Sequence, residues 1–260
     1  MQPIDVRSVQ DRVYGSIREA MRKGVFTSGQ PLTIRALAAR FGTSEMPVRE
    51  AFKRLVAEKA LVQQADRTFQ VPAVTPDRFD EVLLVRIMIE GRATELTALT
   101  ADARLVAQLR DTNELMIAAL SRSDVAGILE HNQHFHFLVY EACGNVTLLE
   151  LIELLWLRSG PYLAALAADR AGINAFFDAA ESHSRIIAGI EGGDAAAAAQ
   201  ALKEDIETTA RWFWSRLSPE QEAAGRASPK PSGFFEPVLA SAAAPRAVRK
   251  GNGTKARSQA

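Results

Sequence analysis

Residues 31–62 read PLTIRALAARFGTSEMPVREAFKRLVAEKALV, and this stretch decides the fold of the first part of the chain. Thr33 is suited to cap a short helix, IRALAARF, which Gly42 ends. After a brief turn Ser44 opens a second helix, with Pro47 tolerated in its first turn because those N–H groups lack intrahelical partners. Val48, Phe52, Leu55 and Val56 share one face of that helix, while Arg49 and Lys53 lie on another. Upstream, Val9, Val13, Ile17 and Met21 fall four apart, the stripe of an amphipathic helix stopped by Gly24. Downstream, residues 61–64 and 69–72 are extended runs around the polar turn Ala65-Asp66-Arg67-Thr68. A helix, a helix–turn–helix pair and a hairpin in that order make a winged helix.

Helix pairs of this length occur throughout α proteins, so the chemistry of the second helix has to decide its use. Its entry is short and polar, its exposed side is basic, and a helix N-terminus attracts phosphate. Such a helix reads base edges from its first turn and grips phosphates along its flank. The stretch resembles the DNA-binding domain of the GntR-family transcription regulators, chiefly through Ser44, Pro47, Val48, Arg49, Glu50 and Ala51. The resemblance implies that Arg35, Ser44, Glu45, Met46 and Arg49 face DNA, with Arg67 at the wing tip; Lys53, on the same basic face as Arg49, is expected to join them. Glu45 and Met46 stand where the family usually has Arg and Thr, so the operator should depart from the family norm. Ala60 and Thr68 stand at positions where the family usually has glycine, and each would be strained if its φ were positive. Arg49 and Glu45 are also spaced for an i,i+4 surface pair, which is compatible with DNA binding.

From Thr75 to Leu217 the pattern is helical throughout, in six stretches: about 75–99, 101–120, 123–144, 146–168 with Pro161 as a kink, 174–191 and 194–217. Long amphipathic helices with short connections imply an antiparallel bundle. The expected fold class is therefore mainly α, with a winged helix at residues 1–74, a six-helix bundle at 75–217 and a disordered basic tail at 218–260. Three segments, VRIMIEGRATELTAL, NQHFHFLVYEACGNVTLLEL and ESHSRIIAGIEGGDAAAAAQALKEDI, resemble the FCD ligand-sensing domain of the FadR-like GntR subgroup. The resemblance implies a dimer that binds a two-fold operator and responds to a small metabolite, often a carboxylate.

Asn132 and His136 lie four apart on one helix face, with His183 and Asp205 on the next-to-last and last helices. Their positions match the family's metal-binding set, which is usually one Asp and three His; here Asn132 and Asp205 replace the first and the last. Such N/O donors suit Zn²⁺, Ni²⁺, Mn²⁺ or Fe²⁺. The alternative is a pair of buried, hydrogen-bonded histidines oriented by Asp205. Arg86 matches the family's cavity arginine, which can fork onto an effector carboxylate; its alternative is a surface i,i+4 pair with Glu90. His131 and His134 lie off the Asn132–His136 face and are expected in solvent, and Cys143 is expected as a small core residue. Trp212, Phe213 and Trp214 suit packing or a dimer interface.

Thirty-one basic and thirty-one acidic residues leave no net charge, yet the distribution is uneven. Residues 1–74 carry twelve basic against seven acidic residues, residues 226–260 seven against one, and the middle twelve against twenty-three. A basic head, an acidic body (−11) and a basic tail call for separate partners. The start MQPIDVRSVQDR has no apolar signal core, and the single Cys143 suits a reducing cytoplasm. The expected function is a ligand-responsive regulator, a repressor, binding double-stranded operator DNA as a homodimer, with no membrane partner and no enzymatic activity. The competing class is a metal-dependent hydrolase using the bundle site. Against it, no phosphate loop and no nucleophile–His–acid arrangement stands out.

Overall fold

The computed structural model describes residues 8–73 and 75–217. The basic stretch 218–260, expected as a disordered tail, lies outside the described residues. Helix α1 (Val9–Arg22) buries Val13, Tyr14, Ile17 and Met21, and its end turns at Gly24, whose φ of 68° is left-handed. Strand β1 (Pro31–Leu32) leads into α2 (Ile34–Phe41) and α3 (Glu45–Ala57), followed by β2 (Val62–Gln63) and β3 (Phe69–Gln70). The hairpin was legible in the sequence; β1 was not. It pairs antiparallel with β3, giving the order β1-β3-β2. Two residues are too short for an alternating pattern to register.

Helix starts share one device. At Ser8, Thr33, Thr75, Asp102, Asp124 and Asn145 the capping oxygen accepts from the backbone N–H three residues on. Ser44 has the extended cap backbone (φ −72°, ψ 166°) but makes no side-chain cap bond, contrary to the expectation. The reason is Pro47, which occupies the third helical position and has no N–H to offer.

The strain expected at Ala60 and Thr68 falls one residue earlier in each case. Lys59 (φ 58°) and Arg67 (φ 67°) are the left-handed residues. At the end of α3, Ala60 N–H bonds to the Leu55 carbonyl and Lys59 N–H to that of Val56, which requires the left-handed turn at Lys59. At the wing tip, Asp66 accepts from both the backbone and the hydroxyl of Thr68, which fixes the turn around Arg67. Val56 is half-buried rather than buried, and Ala51 joins Val48, Phe52 and Leu55 in the core.

Six helices follow: α4 (Pro76–Thr100), α5 (Ala103–Ser121), α6 (Val125–Glu141), α7 (Val146–Ala168), α8 (Arg170–Glu191) and α9 (Ala195–Leu217). Helix α4 packs on α9, α5 on α6 and α8, and α8 on α9, around a second apolar core. Helix α6 ends before the left-handed Gly144, three residues short of the expected end. Helix α8 starts four residues earlier than expected because Ala171-Gly172 does not break it. A Cβ on Gly172 would sit 2.1 Å from the Leu166 carbonyl oxygen, so this glycine serves close passage of the chain from α7. Phe213 is a core residue, while Trp212 and Trp214 are half-buried and Trp214 Nε1 donates to Asp80. Cys143 is buried in the core as expected. His134 is exposed, but His131 is half-buried rather than in solvent.

The two cores meet at α7. Leu157, wholly buried, belongs to the core of the winged helix rather than to that of the bundle that carries it. Gly160 lets α1 approach closely, since a Cβ there would lie 1.9 Å from the Met21 carbonyl oxygen. Around this apolar contact the basic stripe of α1 meets acids of the bundle: Arg18 lies 3.1 Å from Glu153, and Lys23 3.5 Å from Glu130. Net charge of opposite sign on head and body is thus expressed in ion pairs between them. Among the described residues, no helix is long and apolar enough to cross a membrane.

Candidate functional site

The seven residues assigned to DNA are all exposed: Arg35 on α2, Ser44 at the start of α3, Glu45, Met46, Arg49 and Lys53 along α3, and Arg67 at the wing tip. Glu45, Arg49 and Lys53 follow one another at i,i+4, so they form a single row on the helix. Met46, beside this row, is 57% exposed. The hydroxyl of Ser44, released from capping by Pro47, keeps its hydrogen-bonding capacity at the tip of this row. Arg49 lies 3.6 Å from Glu45 and Lys53 2.8 Å from Glu50; both are exposed pairs, worth little and easily exchanged for other partners.

Inside the bundle, His136 from α6, His183 from α8 and Asp205 from α9 converge, with their donor atoms within 4.8 Å of one another. His136 Nε2 lies 3.2 Å from Asp205 Oδ2 and 3.3 Å from His183 Nε2, and His183 Nε2 lies 3.9 Å from Asp205 Oδ1. All three are buried, as is Asn132, one turn before His136.

The surrounding hydrogen bonds set the protonation of this cluster. Asn113 on α5 donates through Nδ2 to the Ala180 carbonyl and to Ser184 Oγ, so its Oδ1 accepts from His183 Nδ1 at 3.2 Å. The bare Nε2 of His183 therefore faces the cluster. Burial pushes the His183 pKa down to about 3, with His136 adding to it against the pull of Asp205, and the ring is neutral. Tyr140 commits its hydroxyl proton to Glu90 Oε2 at 2.5 Å, so its oxygen accepts from His136 Nδ1 at 3.1 Å. Burial raises the Tyr140 pKa well above the ordinary tyrosine range, with Glu90 adding to it, which keeps that proton in place. Burial by itself would raise the Asp205 pKa, but the hydrogen bond from His136 and the nearby His136, His183 and Arg86 hold it below the usual carboxylate value. Its Oδ1 has no hydrogen-bond partner among the described residues. Two imidazole Nε2 atoms and a carboxylate thus face one another, an arrangement that calls for one positive charge between them. A proton on His136 or a divalent cation supplies it. Donors 2.0–2.2 Å from a tetrahedral ion stand about 3.3–3.6 Å apart, so the observed spacings of 3.2, 3.3 and 3.9 Å fit a metal with little movement.

Arg86 is paired with Glu90, but not on the surface. It is 8% exposed and Glu90 wholly buried; Nε donates to Oε1 at 2.7 Å and an Nη to Oε2 at 3.3 Å. Four-residue spacing in a helix cannot reveal which face an ion pair occupies, and here α4 turns it inward. The guanidinium also lies 5.0 Å from the Trp156 ring centroid and borders a small cavity of about 20 Å³ with Ser159, Tyr162 and Thr209. That volume holds about one water. Glu90, Tyr140, Asn113 and Trp156 were missed as site residues. Tyr140 follows His136 by four residues and Glu90 follows Arg86 by four, so spacing could have found both; for Asn113 and Trp156 the sequence carried no signal.

The architecture defines a class: a winged helix that reads DNA, carried on an all-helical domain with a buried polar cluster. Residues 9–71 match the model of the gntR family of bacterial regulatory proteins, and residues 81–208 match the FCD domain. The chain is 31% identical over 152 residues to the HTH-type transcriptional regulator McbR of Escherichia coli, spanning 58% of this chain and 69% of that protein. It is 28% identical to the "Probable D-xylose utilization operon transcriptional repressor" of Paenarthrobacter nicotinovorans, over 76% of this chain and 86% of the other. The solved structure of E. coli McbR/YncC superposes with a TM-score of 0.76 at 26% identity, covering 81% of this chain and 99% of that one. The chain belongs to the GntR family and is a DNA-binding transcriptional regulator with an FCD effector domain.

Proposed function

We propose that the chain acts in the cytoplasm as a repressor, binding a two-fold operator as a homodimer through the row Ser44, Glu45, Met46, Arg49 and Lys53, with Arg35 and Arg67 flanking it. In this reading residues 1–74 read DNA, residues 75–217 sense the effector and dimerise, and the His136–His183–Asp205 cluster binds a divalent cation, with Asn132 as a further ligand. The observation that carries the DNA assignment is the exposed row on α3 whose leading hydroxyl is freed from its helix by Pro47. The similarity to a protein described as a repressor supports the sign of regulation. For the metal, the support is the convergence of both Nε2 atoms on Asp205, whose Oδ1 has no hydrogen-bond partner among the described residues. When bound, the ion gives a small carboxylate a point of attachment in a body that is otherwise acidic. Arg86, already held by Glu90, offers its remaining N–H groups from the cavity side.

Hydrolysis at the same cluster has no comparable support. The nearby carboxylate that a general base would need, Glu90, is tied to both Arg86 and Tyr140. The test is binding of a duplex selected by the wild-type chain from a random pool. Arg49→Ala is expected to weaken it by about ten- to a hundredfold without changing the oligomeric state. Unchanged affinity would remove α3 from the interface. Elemental analysis of the purified chain checks the metal separately, and a wild type that takes up no divalent ion ends that assignment.

A further inference from the structure

Three consecutive residues of α7 face three different neighbours, as a helix turning about 100° per residue allows. Trp156 packs on the sensing cluster: its ring centroid is 5.3 Å from that of His136 and 5.0 Å from the Arg86 guanidinium. Leu157 fills the core of the winged helix. Arg158 Nε donates to the carbonyl of Glu58, the residue that caps the C-terminus of α3, at 2.9 Å. Helix α4, which carries Arg86 and Glu90, grips the next carbonyl: Arg78 donates to Lys59 O at 2.9 Å. The side chain of Glu58 in turn accepts from the Tyr14 hydroxyl of α1. The end of the reading helix is therefore held by three helices, two of which also line the cluster.

Two features leave this turn of α7 with fewer hydrogen bonds to break than an ordinary helical turn. Pro161 has no N–H, so the Leu157 carbonyl lacks its usual intrahelical donor and bending there breaks no bond. Trp156 Nε1 is buried without a hydrogen-bond partner among the described residues, an unmade bond that favours any displacement bringing it an acceptor. A shift of the Trp156 ring moves Leu157 and Arg158 with it, because all three sit in one turn.

We propose that the Trp156–Leu157–Arg158 turn couples the state of the His136–His183–Asp205 cluster to the pose of α3, with Arg158 as the positioning residue acting through the Glu58 carbonyl. This rests on reading the cluster as the sensing site, but not on the cation. A double-mutant cycle tests it. Affinity for the selected duplex is measured for the full-length wild type, Asp205→Asn, Arg158→Ala and the double variant, with thermal unfolding as the check on folding. Asp205→Asn should change the affinity about fivefold or more when Arg158 is present, and by less than about twofold when it is replaced. An equal change in both backgrounds, or none with Arg158 intact, overturns the proposal. If Arg158→Ala abolishes duplex binding, Arg158→Lys supplies the second background, since a point donor cannot reproduce the guanidinium's reach to the carbonyl. Metal content of each protein separates the two readings. Non-additivity without bound metal ends the metal assignment alone, and additivity with bound metal ends the coupling alone.

Discussion

Replacing Asp205 by Asn separates a metal centre from a hydrogen-bonded histidine pair, because the two predict opposite outcomes for the metal-free protein. As a metal centre, the wild type in Zn²⁺ at about a hundred times its Kd gains about 2.7 kcal/mol. At 2–4 °C per kcal/mol for a chain of this size, that raises Tm by about 5–10 °C. Asp205→Asn loses this gain, since it removes the one carboxylate among the three converging donors. In chelator, however, the variant is expected to melt within about 3 °C of the wild type, or above it. The carboxylate oxygen Oδ1 is buried without a partner there, and an amide N–H in place of Oδ2 can donate to His136 Nε2, 3.2 Å away. If instead Asp205 is the counter-ion of a protonated His136, breaking the pair costs about 3–5 kcal/mol, and Tm falls by about 6–20 °C with or without metal. Scanning calorimetry of both proteins in Zn²⁺ and in chelator reads all four values. A wild type indifferent to Zn²⁺, with a variant melting more than 6 °C lower in chelator, would refute the metal reasoning.

Burial raises the pKa of all three tyrosines, Tyr14 to about 12 with help from Glu58, Tyr162 less strongly despite Arg78, and Tyr140 furthest. The unfolded chain releases these protons near pH 10 and the folded chain retains them, so stability falls as pH rises from about 10. Absorbance at 295 nm should show little tyrosinate at pH 11 until the chain unfolds; a progressive rise in the folded protein would contradict the burial of Tyr140. Lys59→Gly removes a left-handed non-glycine residue and should stabilise the chain by up to about 1 kcal/mol, seen as a higher urea midpoint with an unchanged slope. A lower midpoint would show that the Lys59 side chain matters more than its backbone. Gly160→Ala places a methyl 1.9 Å from the Met21 carbonyl oxygen and must part α1 from α7. We expect a loss of about 1–3 kcal/mol and faster hydrogen exchange in α1; unchanged exchange would mean that the head is not held there.

Much of the fold was legible because its signals are local. The caps at Thr33 and Thr75, the stop at Gly42 and the stripe of Val13, Ile17 and Met21 each depend on residues within one or two turns. Misplacements came where a long-range contact decided the local conformation. The start of α8 was placed at about 174, but the helix begins at Arg170, with Gly172 where the chain passes the Leu166 carbonyl. The left-handed residues at Lys59 and Arg67 were set by hydrogen bonds across a turn rather than by residue type.

By itself the sequence determined which residues share the exposed face of α3 and which polar residues could meet in the bundle, because face and spacing on a helix follow from its period. It placed Ser44 at the start of α3 as a capping residue, and the absence of its side-chain cap bond, owed to Pro47 having no N–H at the third helical position, emerges only from the actual hydrogen bonds. Tertiary structure decided the rest. It turned Arg86 and Glu90 inward, bound Tyr140 and Asn113 to the two histidines so that their Nε2 atoms face Asp205, and seated Leu157 in the core of the other part of the chain. Those contacts join residues tens of positions apart on different helices. Each depends on how helices rotate and approach one another, a balance of summed packing that no short window of sequence contains.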